Sequence, residues 1–231
     1  MLTTQYSMRR THGASGLFKK MKITILTDNP NSWIIPFAEE LEAYLKDNHT
    51  VKHVFKSEQV EAGDILFILS CEKLVKSHIL KLNKNNIVVH PSDLPKQRGW
   101  SPLTWQVLEG KNIIPICLFE AHPIADGGGV YVRDEIKLDG SELNSEMKQK
   151  QGETTLKMIK KYLKEKDSLL AVTQTGEPSY CNKITPEDSE ININKSIKDQ
   201  FNRLRVVDNE RYPAFFKYKN SKYIIKIYRD K

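Results

Sequence analysis

The sequence predicts an α/β fold: a doubly wound, Rossmann-like, mostly parallel sheet that ends in a small helix and β-hairpin appendage. Two observations carry this. Short apolar runs of strand length alternate with stretches whose apolar residues recur at helical spacing, in the order strand, helix, strand, strand, helix, strand. One of these runs, "DILFILS" at 64–70, is apolar almost without interruption, as in strands covered on both faces of a parallel sheet.

In chain order, "KITIL" (22–26) is the first expected strand. "SWIIPFAEELEAYLKDN" (32–48) is a helix with Pro36 near its first turn, where a missing N–H is harmless. "TVKHVF" (50–55) and "DILFILS" are strands. "CEKLVKSHILKLNKN" (71–85) reads as a helix with Leu74, Ile79, Leu80 and Leu82 inward, and "NIVVH" (86–90) as the strand after it. "SPLTWQVLEG" (101–110) carries a serine N-cap, a proline at the first helical position and a closing glycine. Strands follow at 112–121 and 129–138, and then a long lysine-rich helix at 143–166 with Met147, Leu156, Ile159, Tyr162 and Leu163 on its apolar side. The tail is expected to form an amphipathic helix at 195–208 and a hairpin at 213–230 that turns at Asn220 and Ser221.

Composition narrows the class. Of the net charge of +7, residues 1–20 supply +4 through Arg9, Arg10, Lys19 and Lys20, so the rest of the chain is nearly balanced. Those twenty residues have no hydrophobic period and lack the amphipathic pattern of a transit peptide. They are set aside as a leader or tag without expected order. Residues 21–175 are the expected catalytic domain and 176–231 the extension. No apolar run is long enough to span a membrane. Cys71, Cys117 and Cys181 match no metal-ligand spacing and leave an odd count for disulfides, so they read as reduced thiols in a cytoplasmic protein that holds no metal.

Two stretches point to chemistry. "HPSDLPKQRGWSP" begins with His90 at the carboxyl end of a strand, the edge where open α/β sheets bind ligands. "ADGGGVY" sets Asp126 beside three glycines, a sign of positive φ or of close approach to the main chain, although a tight hairpin would look alike.

Together these stretches resemble the 10-formyltetrahydrofolate-dependent formyltransferases, whose pattern is Asn-x-His, a Ser-x-Leu-Pro loop, Arg-Gly, and Asp-x-Gly-x-[Ile/Val]. His90, Ser92, Leu94, Pro95, Arg98, Gly99, Asp126, Gly128 and Val130 match, and the resemblance covers roughly residues 21–140. "TPEDSEININKSIKDQFNRLRVVDNERYPAFF" separately resembles the segment after the catalytic domain in the tRNA and amino-sugar members.

The resemblance implies that His90 is the general acid/base and oxyanion partner, and that Asp126 orients its ring and favours its charged form. It further implies a folate site formed by the loop from Ser70 through Cys71 to Leu74 and by the stretch from Phe119 through Ala125 to Asp126, with Gly128 beyond it. One place departs from the pattern. Val88 stands where the family has asparagine, and Asn85 and Asn86 are out of register. An asparagine donor in an oxyanion hole contributes about 3–4 kcal/mol, so a backbone N–H, Ser92 or Arg98 is the candidate replacement. Arg98, Gly99 and Trp100 also read as loop anchors, and Trp100 and Trp105 as core or acceptor-pocket wall.

The implied reaction moves a formyl group from 10-formyltetrahydrofolate to a primary amine. The fifty residues after Cys181 are too few for the C-terminal β-barrel of the methionyl-tRNA enzymes, so the expected acceptor is a nucleotide-linked amino sugar. Two alternatives stand beside it. A short methionyl-tRNA formyltransferase would use the basic hairpin, with Lys217, Lys219, Lys222, Lys226, Arg229 and Lys231, to contact phosphates. A non-catalytic folate or nucleotide-sugar binding protein would account for Val88. Amino-sugar members often pair, which makes the hairpin a candidate homodimer surface.

Overall fold

The computed structural model describes residues 19–230; residues 1–18, which hold most of the segment set aside as a leader, and residue 231 lie outside the description. The elements are β1 (Lys22–Leu26), α1 (Ile35–Lys46), β2 (Thr50–Val54), β3 (Gly63–Ile68), α2 (Ser77–Leu80), β4 (Asn83–His90), β5 (Arg98–Gly99), α3 (Pro102–Leu108), β6 (Ile113–Glu120), β7 (Val130–Lys137), α4 (Asn144–Glu165), β8 (Tyr180–Cys181), α5 (Phe201–Arg205), β9 (Ala214–Tyr218) and β10 (Ser221–Ile225).

Six strands form the central sheet in the order β2-β1-β3-β4-β6-β7. The first three pairings are parallel, and β4–β6 and β6–β7 are antiparallel. Period-2 alternation divides the strands between two cores. Ile23, Ile25, Ile65, Phe67, Ile87, Ile116 and Leu118 pack with Phe37, Leu41, Leu45, Leu156 and Ile159 of α1 and α4. On the opposite face Leu26, Leu66 and Ile68 meet Val54, Val60 and Ile79. Each such side chain, removed from water, contributes about 1.5–3 kcal/mol.

Three elements differ from the sequence expectation. The helix expected at 71–85 is a single turn, α2, because β4 begins at Asn83 to pair with Gly63 of β3. Leu74, expected inward, is 68% exposed. The helix expected at 195–208 is reduced to a 3₁₀ turn at Lys198–Gln200 and α5. The hairpin turns one residue early, at Lys219 and Asn220, both with positive φ (45° and 62°).

The extension is wired to the core. Arg205 of α5 is 1% exposed, donates to Asn112 and Asn202, and faces the buried carboxylate of Glu142. Short β8 adds in parallel to β5, so the chain near residue 180 runs beside the loop that follows His90. The hairpin cations are committed as well. Lys217 pairs with Glu190, Lys226 with Glu210 and Arg229 with Glu146, while Lys219 and Lys222 sit over the rings of Tyr218 and Phe215. Lys231, the last cation of the basic patch read from the sequence, lies outside the described residues.

Candidate active site

Pro91, which has no N–H to extend the ladder, ends β4 and leaves His90 at its carboxyl end, opposite Cys117 of β6. His90 is 8% exposed. Its Nε2 lies 3.0 Å from the carbonyl oxygen of Gln97 and 3.6 Å from Oδ2 of Asp126. A carbonyl only accepts, so Nε2 carries the proton and donates to Gln97, with the carboxylate as its second neighbour. The sequence places Asp126 as the orienting partner; the structure gives the closer contact to a backbone carbonyl. Gln97 presents that carbonyl from a left-handed conformation, φ 55°.

Asp126 sits in the bend between β6 and β7, itself left-handed with φ 52°. Its Oδ2 accepts from the backbone N–H of Gly99 at 2.8 Å, which ties the bend to the loop after His90. Gly128 serves close approach: an added Cβ would stand 1.7 Å from the carbonyl oxygen of Glu120. The neighbouring Gly129 carbonyl accepts from the N–H of Glu120. No side chain fits where the two strands pass this closely.

A cavity of about 310 Å³ opens at the carboxyl ends of β1, β3 and β4. Ser70, Cys71 and Glu72 line one side, Val89 and His90 its floor, and Trp100 to Thr104 the next wall. Asn29, Ser32 and Trp33 enter from the β1–α1 loop. The extension closes the remainder with Lys183, Asp188, Asp208, Arg211 and Tyr212, facing Asn144, Lys148 and Gln151 of α4. Lys148 approaches Asp208 at 3.5 Å, and burial holds its ammonium below the ordinary lysine range, only partly offset by Asp208. Such a volume falls in the range of small-molecule sites.

The remaining sequence candidates separate by position. Ser70 and Cys71 line the cavity with His90; burial pushes the Cys71 thiol up to about 12. Leu74 is exposed, Phe119 is 1% exposed within the cluster of Leu94, Cys117 and Val130, and Ala125 and Gly128 belong to the Asp126 bend outside the lining. Ser92 is fully buried with its Oγ unpartnered. Arg98 turns away to donate 2.6 Å to Oε1 of Gln174, and its Nε finds no partner. Val88 packs against Phe119 and Leu94 and does not line the cavity. Asn85 bonds Glu120 and Tyr131, and Asn86 bonds the carbonyl of Leu80, so neither amide reaches the histidine. Trp100 lines the cavity with Lys183 4.5 Å above its ring, and Trp105 donates to the carbonyl of Asn182. Among the described residues no group of three metal-ligating side chains converges.

Sequence reasoning missed Asp28 and Gln174. Asp28, just beyond β1, accepts from the N–H groups of Glu72 and Lys73 and so shapes the Ser70–Leu74 loop; its place at a strand's carboxyl end was a usable signal. Gln174 lies in the polar stretch "VTQTG", where nothing in the sequence distinguishes it.

No family model matches the chain. It is 30% identical over 175 residues to the methionyl-tRNA formyltransferase of Mycoplasma mycoides, covering 68% of this chain and 54% of that protein. It is 27% identical over 167 residues to the Rickettsia conorii methionyl-tRNA formyltransferase, covering 71% and 54%. The chain thus spans about half the length of these curated relatives. Among solved structures it superposes on a methionyl-tRNA formyltransferase from Clostridium thermocellum with TM-score 0.78 at 20% identity, covering 91% of this chain and 94% of that one. A sugar N-formyltransferase from Shewanella gives 0.70 at 16%, covering 91% and 98%. HypX from Aquifex aeolicus, in complex with tetrahydrofolic acid, gives 0.70 at 16%, covering 90% and 37%. These likenesses show a shared fold, and no helix among the described residues is long and apolar enough to cross a membrane. The homologues of this chain are formyltransferases, matched over about half of their length, and the shared fold agrees with that relationship.

Proposed function

We propose that the protein transfers a formyl group from 10-formyltetrahydrofolate to a primary amine, and that the amine belongs to a nucleotide-linked amino sugar. The observation that carries this reading is the juxtaposition of His90 and Asp126, 3.6 Å apart at the strand ends beside a cavity. The amine lone pair attacks the formyl carbon and the carbonyl becomes an oxyanion. As the bond from carbon to N10 breaks, the amine loses a proton and N10 of tetrahydrofolate gains one. His90 serves these proton movements, as the imidazole with access to the cavity. The Asp126 carboxylate favours the imidazolium formed along the way.

For the oxyanion, His90 and a backbone N–H of the cavity wall are the partners left. Ser92 is sealed from the cavity, Arg98 is turned toward Gln174, and Val88 faces an apolar cluster, so the side-chain candidates are occupied or out of reach. The donor lies against the Ser70 and Cys71 side, and the acceptor against the wall contributed by residues 176–231, which contains Lys183, Asp208 and Arg211.

A methionyl-tRNA acceptor is the second reading, favoured by the curated relatives. Paired assays separate the two: formylation of nucleotide-linked amino sugars without formylation of charged initiator tRNA supports the first. Formylation of the tRNA, with binding that weakens steeply as salt rises, overturns it.

A further inference from the structure

We infer that Gln174 is a positioning residue for the transfer reaction, acting by locking the Asp126 bend onto the loop that carries Gln97, Arg98 and Gly99. The inference rests on the formyl-transfer reading above. Gln174 comes from the segment after α4, far from both loops in sequence. Its Nε2 donates 2.7 Å to the carbonyl oxygen of Asp126 and 2.7 Å to that of Gly128, while its Oε1 accepts 2.6 Å from Nη2 of Arg98.

An amide offers two N–H donors on one atom and an acceptor on the other, and all are used here. Two carbonyls on one side and a guanidinium on the other admit a single orientation of the side chain. Gln174 is half-buried, whereas the residues on either side of it are exposed. The bond grips Asp126 at its strained point, the left-handed residue whose carboxylate reaches both Gly99 and His90. Flanking backbone pairs hold the same segment in place: Val172 bonds Val130, and the carbonyls of Ser179 and Cys181 accept from the N–H groups of Arg98 and Trp100.

Gln174→Glu separates positioning from anchoring. It keeps the size and strengthens the contact with Arg98, but sets an acceptor against two carbonyl oxygens. Were Gln174 only a tether for Arg98, this variant would behave as the parent. The expected result is that Gln174→Ala and Gln174→Glu both lower kcat about ten- to a hundredfold, the penalty of a misplacement near 1 Å, with KM for 10-formyltetrahydrofolate within about twofold. Hydrogen exchange read by NMR supplies a measure independent of turnover: the Gly99 amide, bonded to Asp126, is expected to exchange faster in both variants while amides of β3 and β4 are unchanged. A Gln174→Glu protein with parental kcat, or parental protection of Gly99, overturns the inference. If the parent transfers formyl to no amine, the function reading fails and the Gly99 exchange alone decides the positioning claim. If Gln174→Ala does not fold, the isosteric Gln174→Glu decides it.

Discussion

Gly128→Ala tests whether the Asp126 bend is held by contact between main chains. The new Cβ would lie 1.7 Å from the Glu120 carbonyl oxygen and 2.8 Å from its carbon, against an ordinary contact of 3.4–4 Å. Backbone faces backbone here, so no side chain can swing aside and the bend must retreat by well over 1 Å. That movement breaks the bond from Gln174 to the Gly128 carbonyl and the one from Glu120 to the Gly129 carbonyl. At about 1 kcal/mol for each bond, with about 1–3 kcal/mol for overpacking, the variant is expected to lose about 3–5 kcal/mol. Asp126, two residues away, moves with the bend, so kcat should fall about a hundredfold or more. Urea denaturation and formyl-transfer kinetics read the two effects. Gly127→Ala is the control, because its Cβ would meet Ile124 at 3.1–3.3 Å, where a shift of a few tenths of an ångström suffices. A Gly128→Ala protein within about 0.5 kcal/mol of the parent, the spread of an ordinary surface change, would mean that main-chain contact does not hold the bend.

Three further outcomes are expected. Val88→Asn buries an amide among Leu94, Cys117 and Phe119, destabilises the protein by about 1–3 kcal/mol and leaves kcat no higher than the parent's; a rise in kcat would mean that this position does face the reacting atoms. Arg205→Met leaves Glu142 without its buried guanidinium neighbour and Asn112 without its donor, and is expected to cost about 3–5 kcal/mol in denaturant titration. Glu142 sets part of the acid limb. Burial pushes its carboxyl up, but the bond from Lys150 and those from the N–H groups of Asp139 and Gly140 outweigh burial and hold it below its ordinary 4.5. A lowered folded-state pKa contributes stability that is complete above about 4.5 and is lost as pH falls through the lower folded value. Glu142→Gln should therefore flatten the fall in stability below pH 4.5, and an unchanged acid limb would count against this assignment.

The sheet was legible in the sequence because its strands are short apolar runs whose alternate residues meet two different cores, as Ile25 and Leu26 do. The stretch 71–85 misled because its apolar spacing is helical, while the ladder with β3 claims Asn83 onward and leaves room for one turn. His90 and Asp126 were visible through the residues around them. Their geometry was not, because Nε2 is satisfied by the carbonyl of Gln97, and a carbonyl has no residue identity to read. Gln174 was invisible for a related reason: its importance lies in two carbonyls and a guanidinium brought together by tertiary structure. The departure at Val88 was legible as a residue identity, whereas the packing of that side chain against an apolar cluster is visible only in the structure.

Formyl transfer at His90 and Asp126 can be followed atom by atom. The most direct measurement uses 10-formyltetrahydrofolate labelled with ¹³C in the formyl group, incubated with a nucleotide-linked amino sugar and the parent protein, His90→Ala or Asp126→Asn, with products read by mass spectrometry. Labelled N-formyl sugar and stoichiometric tetrahydrofolate are expected from the parent, with turnover lowered about a thousandfold or more by either substitution, the scale of losing an acid–base group with its partner. Labelled product formed as fast by His90→Ala as by the parent would contradict this expectation.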